Sequence, residues 1–218
     1  MNADQLQQVR PGFHDAALGS QAVFRVALQA LSHPGRVWAV PTVAELPRAG
    51  QGAAALLMLA LLDSDCRVWL SPALAESDAA SWLRFHTGCQ RVPTPEQAQF
   101  LWVALGDALP ALQQLQLGSD EYPDHSATCV IETTGLADRG NDVSRDLGED
   151  QEGMTWLLEG PGIATTQRLA AAGLPTDFED QWAHNHGAFP RGVDVFLSTA
   201  TQLAGLPRTT RLRAAMEA

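Results

Sequence analysis

Residues 53–62 read AAALLMLALL, ten apolar side chains in succession. A helix that is apolar all the way round has no face to offer water and has to be enclosed on every side. The run is about half the ~20 residues that a membrane-spanning helix needs, so it is expected inside a folded domain and no membrane is expected among the partners. Enclosure requires covering elements, and the flanks supply them. VWAV (37–40) precedes the run and CRVWLS (66–71) follows it, both short, rich in β-branched and aromatic residues, and bounded by turn formers.

The alternation continues along the chain. QFLWVAL (99–105), TCVIETT (128–134), TWLLEG (155–160) and GVDVFLST (192–199) read as strands. A helix is predicted over 15–32, where Ala16, Phe24, Leu28 and Leu31 recur mostly at three- and four-residue spacings before HPG ends it. Two more are predicted over 107–115 and 176–186. Strands alternating with helices predict a sheet covered on both faces, a three-layer α/β/α sandwich. The sheet is expected to be mixed, because 129–134 and 155–159 are joined by a polar loop without helical period, which suits an antiparallel pair. That loop, ADRGNDVSRDLGEDQEG (137–153), is acidic and glycine-rich and is expected to be exposed. No repeat or linker divides the chain, so 1–218 is expected to be a single domain.

Chemistry is constrained most by an absence. The sequence contains no lysine; all 14 basic residues are arginine. No Schiff base to pyridoxal phosphate and no phosphate-binding GxxxxGK[ST] loop can form. A net charge of −11 argues against nucleic acid as a partner, while a few arginines in one pocket can still hold a small anion. Cys66, Cys89 and Cys129 lack CxxC spacing and suggest neither a disulfide framework nor a zinc site. MNADQLQQVRPGF has no signal-peptide pattern, which gives a cytoplasmic, reducing location as the expectation.

Four short constellations are candidates. In LRFHTGC (83–89), Arg84 and His86 share a face if the segment is extended, where an arginine fork beside an imidazole suits a phosphate or phosphonate oxygen; the plainer reading is a helix end bonded to backbone carbonyls. In EDQWAHNHG (179–187), Asp180, His184 and His186 form a two-His, one-carboxylate set open to a metallohydrolase reading, against which stands an ordinary helix terminus. In EGPGIATTQR (159–168), Gly160, Gly162, Thr165 and Thr166 suit an anion at the start of a helix, or a tight turn. FPRGVDVFL (189–197) and LPRTTR (206–211) each place a Pro-Arg pair beside a strand. Arg191, Arg208 and Arg211 either converge on an anion, or pair with acids such as Asp194 and face a partner subunit.

Taken in order, SHPGRV (32–37), LLDSDCRVWL (61–70), LRFHTGC (83–89), GPGI (160–163), FPRGVDVFL (189–197) and LPRTTR (206–211) resemble the PhnH family, a component of the bacterial carbon-phosphorus lyase core complex. The resemblance spans nearly the whole chain and is weakest over 137–153. It implies a phosphonate-catabolism protein acting in a complex with subunits G, I and J. That complex makes ribose 1-phosphonate 5-triphosphate from a phosphonate and a nucleoside triphosphate, so substrate is met only within the assembly. The resemblance also implies the fold of pyridoxal-phosphate-dependent transferases without that cofactor, a homodimer when isolated, and no catalytic residues to carry over. Arg84, His86, Arg191, Arg208 and Arg211 therefore stand as anion-binding or interface candidates, with no metal and no cofactor expected.

Overall fold

The computed structural model describes residues 10–138 and 153–215. The opening stretch up to residue 9 and nearly all of the acidic loop, 139–152, lie outside the described residues.

Three sheets, the smallest a two-stranded ribbon, and five α-helices make up the described fold. In chain order they are β1 (Gly12–Phe13), α1 (Ala16–Ser32), β2 (Val37–Ala39), β3 (Ala44–Glu45), α2 (Gly52–Leu61), β4 (Arg67–Leu70), α3 (Pro72–Ala75), α4 (Asp78–Thr87), β5 (Gln90–Arg91), β6 (Phe100–Val103), β7 (Thr128–Glu132), β8 (Gly135–Ala137), β9 (Gly153–Glu159), β10 (Gln167–Ala172), α5 (Phe178–Gly187), β11 (Asp194–Ser198), β12 (Gln202–Leu206) and β13 (Arg211–Ala214). β1 and β3 pair as a small ribbon. The main sheet has seven strands in the order β2-β12-β11-β7-β6-β4-β5. It is mixed, as expected: β11, β7, β6, β4 and β5 run parallel, and one side is closed by two antiparallel pairings, β11 with β12 and β12 with β2.

One face of this sheet carries helices. Val68, Leu70, Trp102, Val130 and Phe196 point into a core shared with α1, α2, α3 and α4, and Ala53 through Met58 of α2 are buried throughout, as the apolar run demanded. The opposite face is largely β in character. Leu101, Val103, Cys129, Ile131, Val195 and Leu197 pack there against Trp156, Leu158 and Leu169 of a second, four-stranded sheet (β13-β9-β10-β8) and against Phe178 and Trp182 of α5. The third layer of the expected α/β/α sandwich is thus an antiparallel sheet with one helix beside it.

This corrects the strand pairing. β7 does not pair with β9; it lies between β11 and β6 in the main sheet, while β9 lies between β10 and β13. The patterns agree with that placement, since β7 is buried on both faces, as a central parallel strand must be, whereas β9 alternates, with Trp156 and Leu158 inward. The helix expected over 107–115 is also absent: only a 3-10 turn forms at Leu112–Gln114. Pro110 lacks an N–H and pushes Leu109 out of helical backbone, which breaks the segment where the spacing had promised a helix. Thr165 and Thr166 precede the strand β10, not a helix.

α1 forms where predicted, capped by Asp15, whose carboxylate accepts the Leu18 N–H at 2.9 Å. Its buried face is different from the large apolar set. Gly19, Val23, Ala27 and Ala30 face inward, while Phe24 and Leu28 stay 45% and 53% exposed. The reason is distance. A Cβ on Gly205 of β12 would stand 2.5 Å from the Ala30 carbonyl, so the helix lies directly on the sheet and only small side chains fit between. No helix among the described residues is long and apolar enough to cross a membrane.

Candidate functional site

In open α/β sheets, ligands bind beyond the carboxyl ends of the strands where the strand order reverses. Here the chain passes from β4 outward to β5 and returns to β6 on the other side of β4, which puts the reversal between β4 and β6. The protein's own side chains bridge that crevice. The Ser71 hydroxyl accepts the Ala104 N–H at 2.9 Å, and Asp107 Oδ2 accepts the Ala73 N–H at 2.9 Å. At the end of β7, Glu132, 3% exposed, accepts the Gln51 N–H at 2.5 Å and Trp102 Nε1–H at 2.8 Å on one oxygen, and the Leu105 N–H at 3.0 Å on the other. Three donors satisfy this buried carboxylate, which ties the start of α2 to the ends of β6 and β7. The sequence reading missed Glu132; an acid ending a fully apolar strand was the available signal.

The arginines of the last third divide by task. Arg208 makes a bidentate fork on Asp194, Nε to Oδ1 at 3.1 Å and Nη2 to Oδ2 at 2.6 Å, while the Arg208 backbone N–H donates to the same Oδ1 at 2.8 Å. Its remaining amino group donates to the Pro123 carbonyl. Arg208 thus ties the 119–126 loop to β11. Asp194 being taken, Arg191 pairs instead with Asp120, at 3.3 Å on the surface. Arg211 Nε donates to His186 Nε2 at 3.2 Å, which leaves His186 Nδ1–H to donate to the Arg208 carbonyl at 3.0 Å and fixes one neutral tautomer. Arg211 and Arg213 stand on β13, an edge strand of the second sheet, with Arg213 3.5 Å from Glu159 across the β9 pair. Charged side chains on an edge strand obstruct unwanted pairing with other chains.

The two-His, one-carboxylate set does not assemble. His184 Nδ1 is bonded to the Asp180 backbone carbonyl at 2.7 Å within its own helix, His186 is occupied as above, and no group of three metal-ligating side chains gathers among the described residues. The GPG segment is a packing device. A Cβ on Gly162 (φ +85°) would stand 2.3 Å from the Ser32 carbonyl, and one on Gly160 2.8 Å from that of Thr209. The cysteines are all free thiols pushed upward by burial, Cys129 to about 12.

Arg84 and His86 lie in the last turn of α4, not in an extended segment, and two residues apart on a helix they point to different sides. His86 Nε2–H donates to the Arg10 carbonyl at 2.8 Å, the backbone bond that the plainer reading anticipated. Gly88 (φ +72°) ends the helix in left-handed conformation and returns its N–H to the Arg84 carbonyl at 3.0 Å. Arg84 instead lines a groove of about 700 Å³ between α4 and the β4–β5 edge. The same groove is lined by Arg91 of β5, which the sequence reading passed over and which spends one amino group on the Ala75 carbonyl at 3.0 Å.

Comparison with known proteins adds identity to this geometry. Residues 11–213 match the family described as bacterial phosphonate metabolism protein (PhnH). The chain is 36% identical over 208 residues, 95% of its length and 97% of the relative's, to the alpha-D-ribose 1-methylphosphonate 5-triphosphate synthase subunit PhnH of Rhizobium meliloti (strain 1021). It is 31% identical over 193 residues, 88% of its length and 85% of the relative's, to the putative C-P lyase subunit protein HtxG of Stutzerimonas stutzeri. Matched from the β1 ribbon to the β13 edge, the chain belongs to the PhnH family of phosphonate metabolism proteins.

Proposed function

We propose that this chain is a non-autonomous, cytoplasmic subunit of a carbon-phosphorus lyase core complex, working with subunits G, I and J to form ribose 1-phosphonate 5-triphosphate from a phosphonate and a nucleoside triphosphate. The observation that carries the reading is 36% identity, over 95% of the chain, with the alpha-D-ribose 1-methylphosphonate 5-triphosphate synthase subunit PhnH. In isolation the chain pairs with itself. Its fold resembles that of the pyridoxal-phosphate-dependent transferases, and a chain without lysine cannot anchor that cofactor covalently.

Two features of the molecule support the assembly role. The titratable groups most suited to chemistry, Glu132, Asp194, His86, His184 and His186, are each held by bonds that maintain the fold. The outer face of α1 exposes Leu18 (66%), Phe24 and Leu28, apolar side chains of the kind that mark contact surfaces. The test is co-expression of the tagged chain with subunits G, I and J, followed by native mass spectrometry. The wild type is expected in a stoichiometric assembly, and the Phe24→Asp, Leu28→Asp double variant, folded by circular dichroism, is expected to be lost from it. Recovery of the wild type alone, or turnover by the single chain, would overturn the proposal.

A further inference from the structure

The groove between α4 and the β4–β5 edge has two arginines in its lining, Arg84 and Arg91. The Arg84 guanidinium makes no hydrogen bond or ion pair among the described residues, and that of Arg91 commits only Nη1. One carboxylate, Glu76, shares the lining and has no ion-pair partner among the described residues. Two cations against one anion leave this hollow locally positive on a protein of net charge −11. Its base is closed by the core residues Val68, Leu70 and Leu83, and the apolar surface that a ligand can reach comes from half-buried Ala75 and Ala80; Cys89, also in the lining, has its thiol pushed upward by burial. Phe85, 49% exposed, stands on the rim.

This combination selects a ligand chemistry. A single guanidinium fork already satisfies the two oxygens of a carboxylate, whereas two forks from separate elements suit a group with three oxygens and more than one negative charge. The accessible apolar lining beside them, Ala75, Ala80 and Phe85, suits an organic stem. Glu76 disfavours further negative charge, which counts against a polyphosphate tail. A hollow of about 700 Å³ lies within the range of small-molecule sites and is far larger than a bare tetrahedral ion requires. We infer that the groove binds a small organic anion whose tetrahedral phosphoryl or phosphonyl head pairs with Arg84 and Arg91 while its stem rests on Ala75, Ala80 and Phe85.

The inference is independent of the assembly proposal, because binding is measured on the isolated full-length chain. Phenylphosphonate, phenyl phosphate, benzoate and inorganic phosphate are titrated separately, with amide chemical shifts and calorimetry as readouts. Shifts are expected at residues 75–91, with both phenyl-bearing tetrahedral anions bound more tightly than inorganic phosphate or benzoate. A preference between those two tells a phosphonate from a phosphate ester as the natural head group. Arg84→Gln, an exposed site whose unfolding temperature serves as the folding control, is expected to raise Kd about ten-fold, and Glu76→Gln to lower it. Absence of shifts in the groove, benzoate binding as tightly as phenylphosphonate, or an unchanged Kd in Arg84→Gln would each overturn the inference. So would loss of complex assembly in Arg84→Gln with no small anion bound, which would make the groove a protein-docking surface.

Discussion

Replacing Arg208 with alanine separates two accounts of the C-terminal arginines, one in which they hold an anion and one in which they hold the fold. The change removes both side-chain bonds to Asp194 and the bond to the Pro123 carbonyl, leaving the Asp194 carboxylate with the backbone N–H of residue 208. The side chains are 13% and 21% exposed, so the pair lies nearer the buried limit than the surface one. Breaking a buried pair costs about 3–5 kcal/mol and an exposed one about 0.2–1 kcal/mol. Bidentate geometry with residual solvent contact places this loss at about 3 kcal/mol, or about 6–12 °C in Tm for a chain of this length. Urea unfolding of Arg208→Ala, Asp194→Asn and the double variant gives the coupling directly, expected at about 2 kcal/mol. Arg208→Lys keeps the charge without the fork and should recover only part of the loss. A loss below about 1 kcal/mol in Arg208→Ala, accompanied by loss of assembly or anion binding, would refute the structural assignment and restore the functional one.

Three further outcomes follow from the packing. Gly205→Ala, whose Cβ would stand 2.5 Å from the Ala30 carbonyl, should force α1 away from the sheet and cost about 1–3 kcal/mol by chemical denaturation. Glu132→Gln puts an amide N–H among three donors and should cost about 2–4 kcal/mol; near wild-type stability would show that the carboxylate does not tie β6 and β7 to α2. Cys129 titrates in the unfolded chain near 9 and in the fold near 12. Below pH 9 both states hold the proton, and above it only the folded state does, so stability falls by about 1.4 kcal/mol per pH unit between 9 and 12; comparison of Cys129→Ala with wild type across that window isolates the slope.

Local patterning was enough for much of the architecture. The ten-residue apolar run had to be enclosed, α1 had to stop at HPG, and the cores of β4, β6, β7 and β11 were visible as short β-branched and aromatic stretches. Missing lysine settled which covalent chemistries are closed to the chain, since that depends on residue inventory alone. Pairing was another matter. β10 reads QRLAAA, which carries little intrinsic strand preference and becomes a strand because β8 and β9 flank it. The identity of the buried face of α1 was likewise invisible, because the close approach at Gly205 is made by a strand about 175 residues away in sequence. The arginines show the same division. All were countable from the chain, yet Asp194 draws Arg208 into the fold, the β13 edge places Arg211 and Arg213 on the surface, and the passage from α4 to β5 puts Arg91 in the lining of the groove that Arg84 also lines. Side-chain chemistry is a property of residue type and is written in the sequence; which charges neutralise one another and which remain free depends on distances between distant segments, and only the tertiary structure sets those distances.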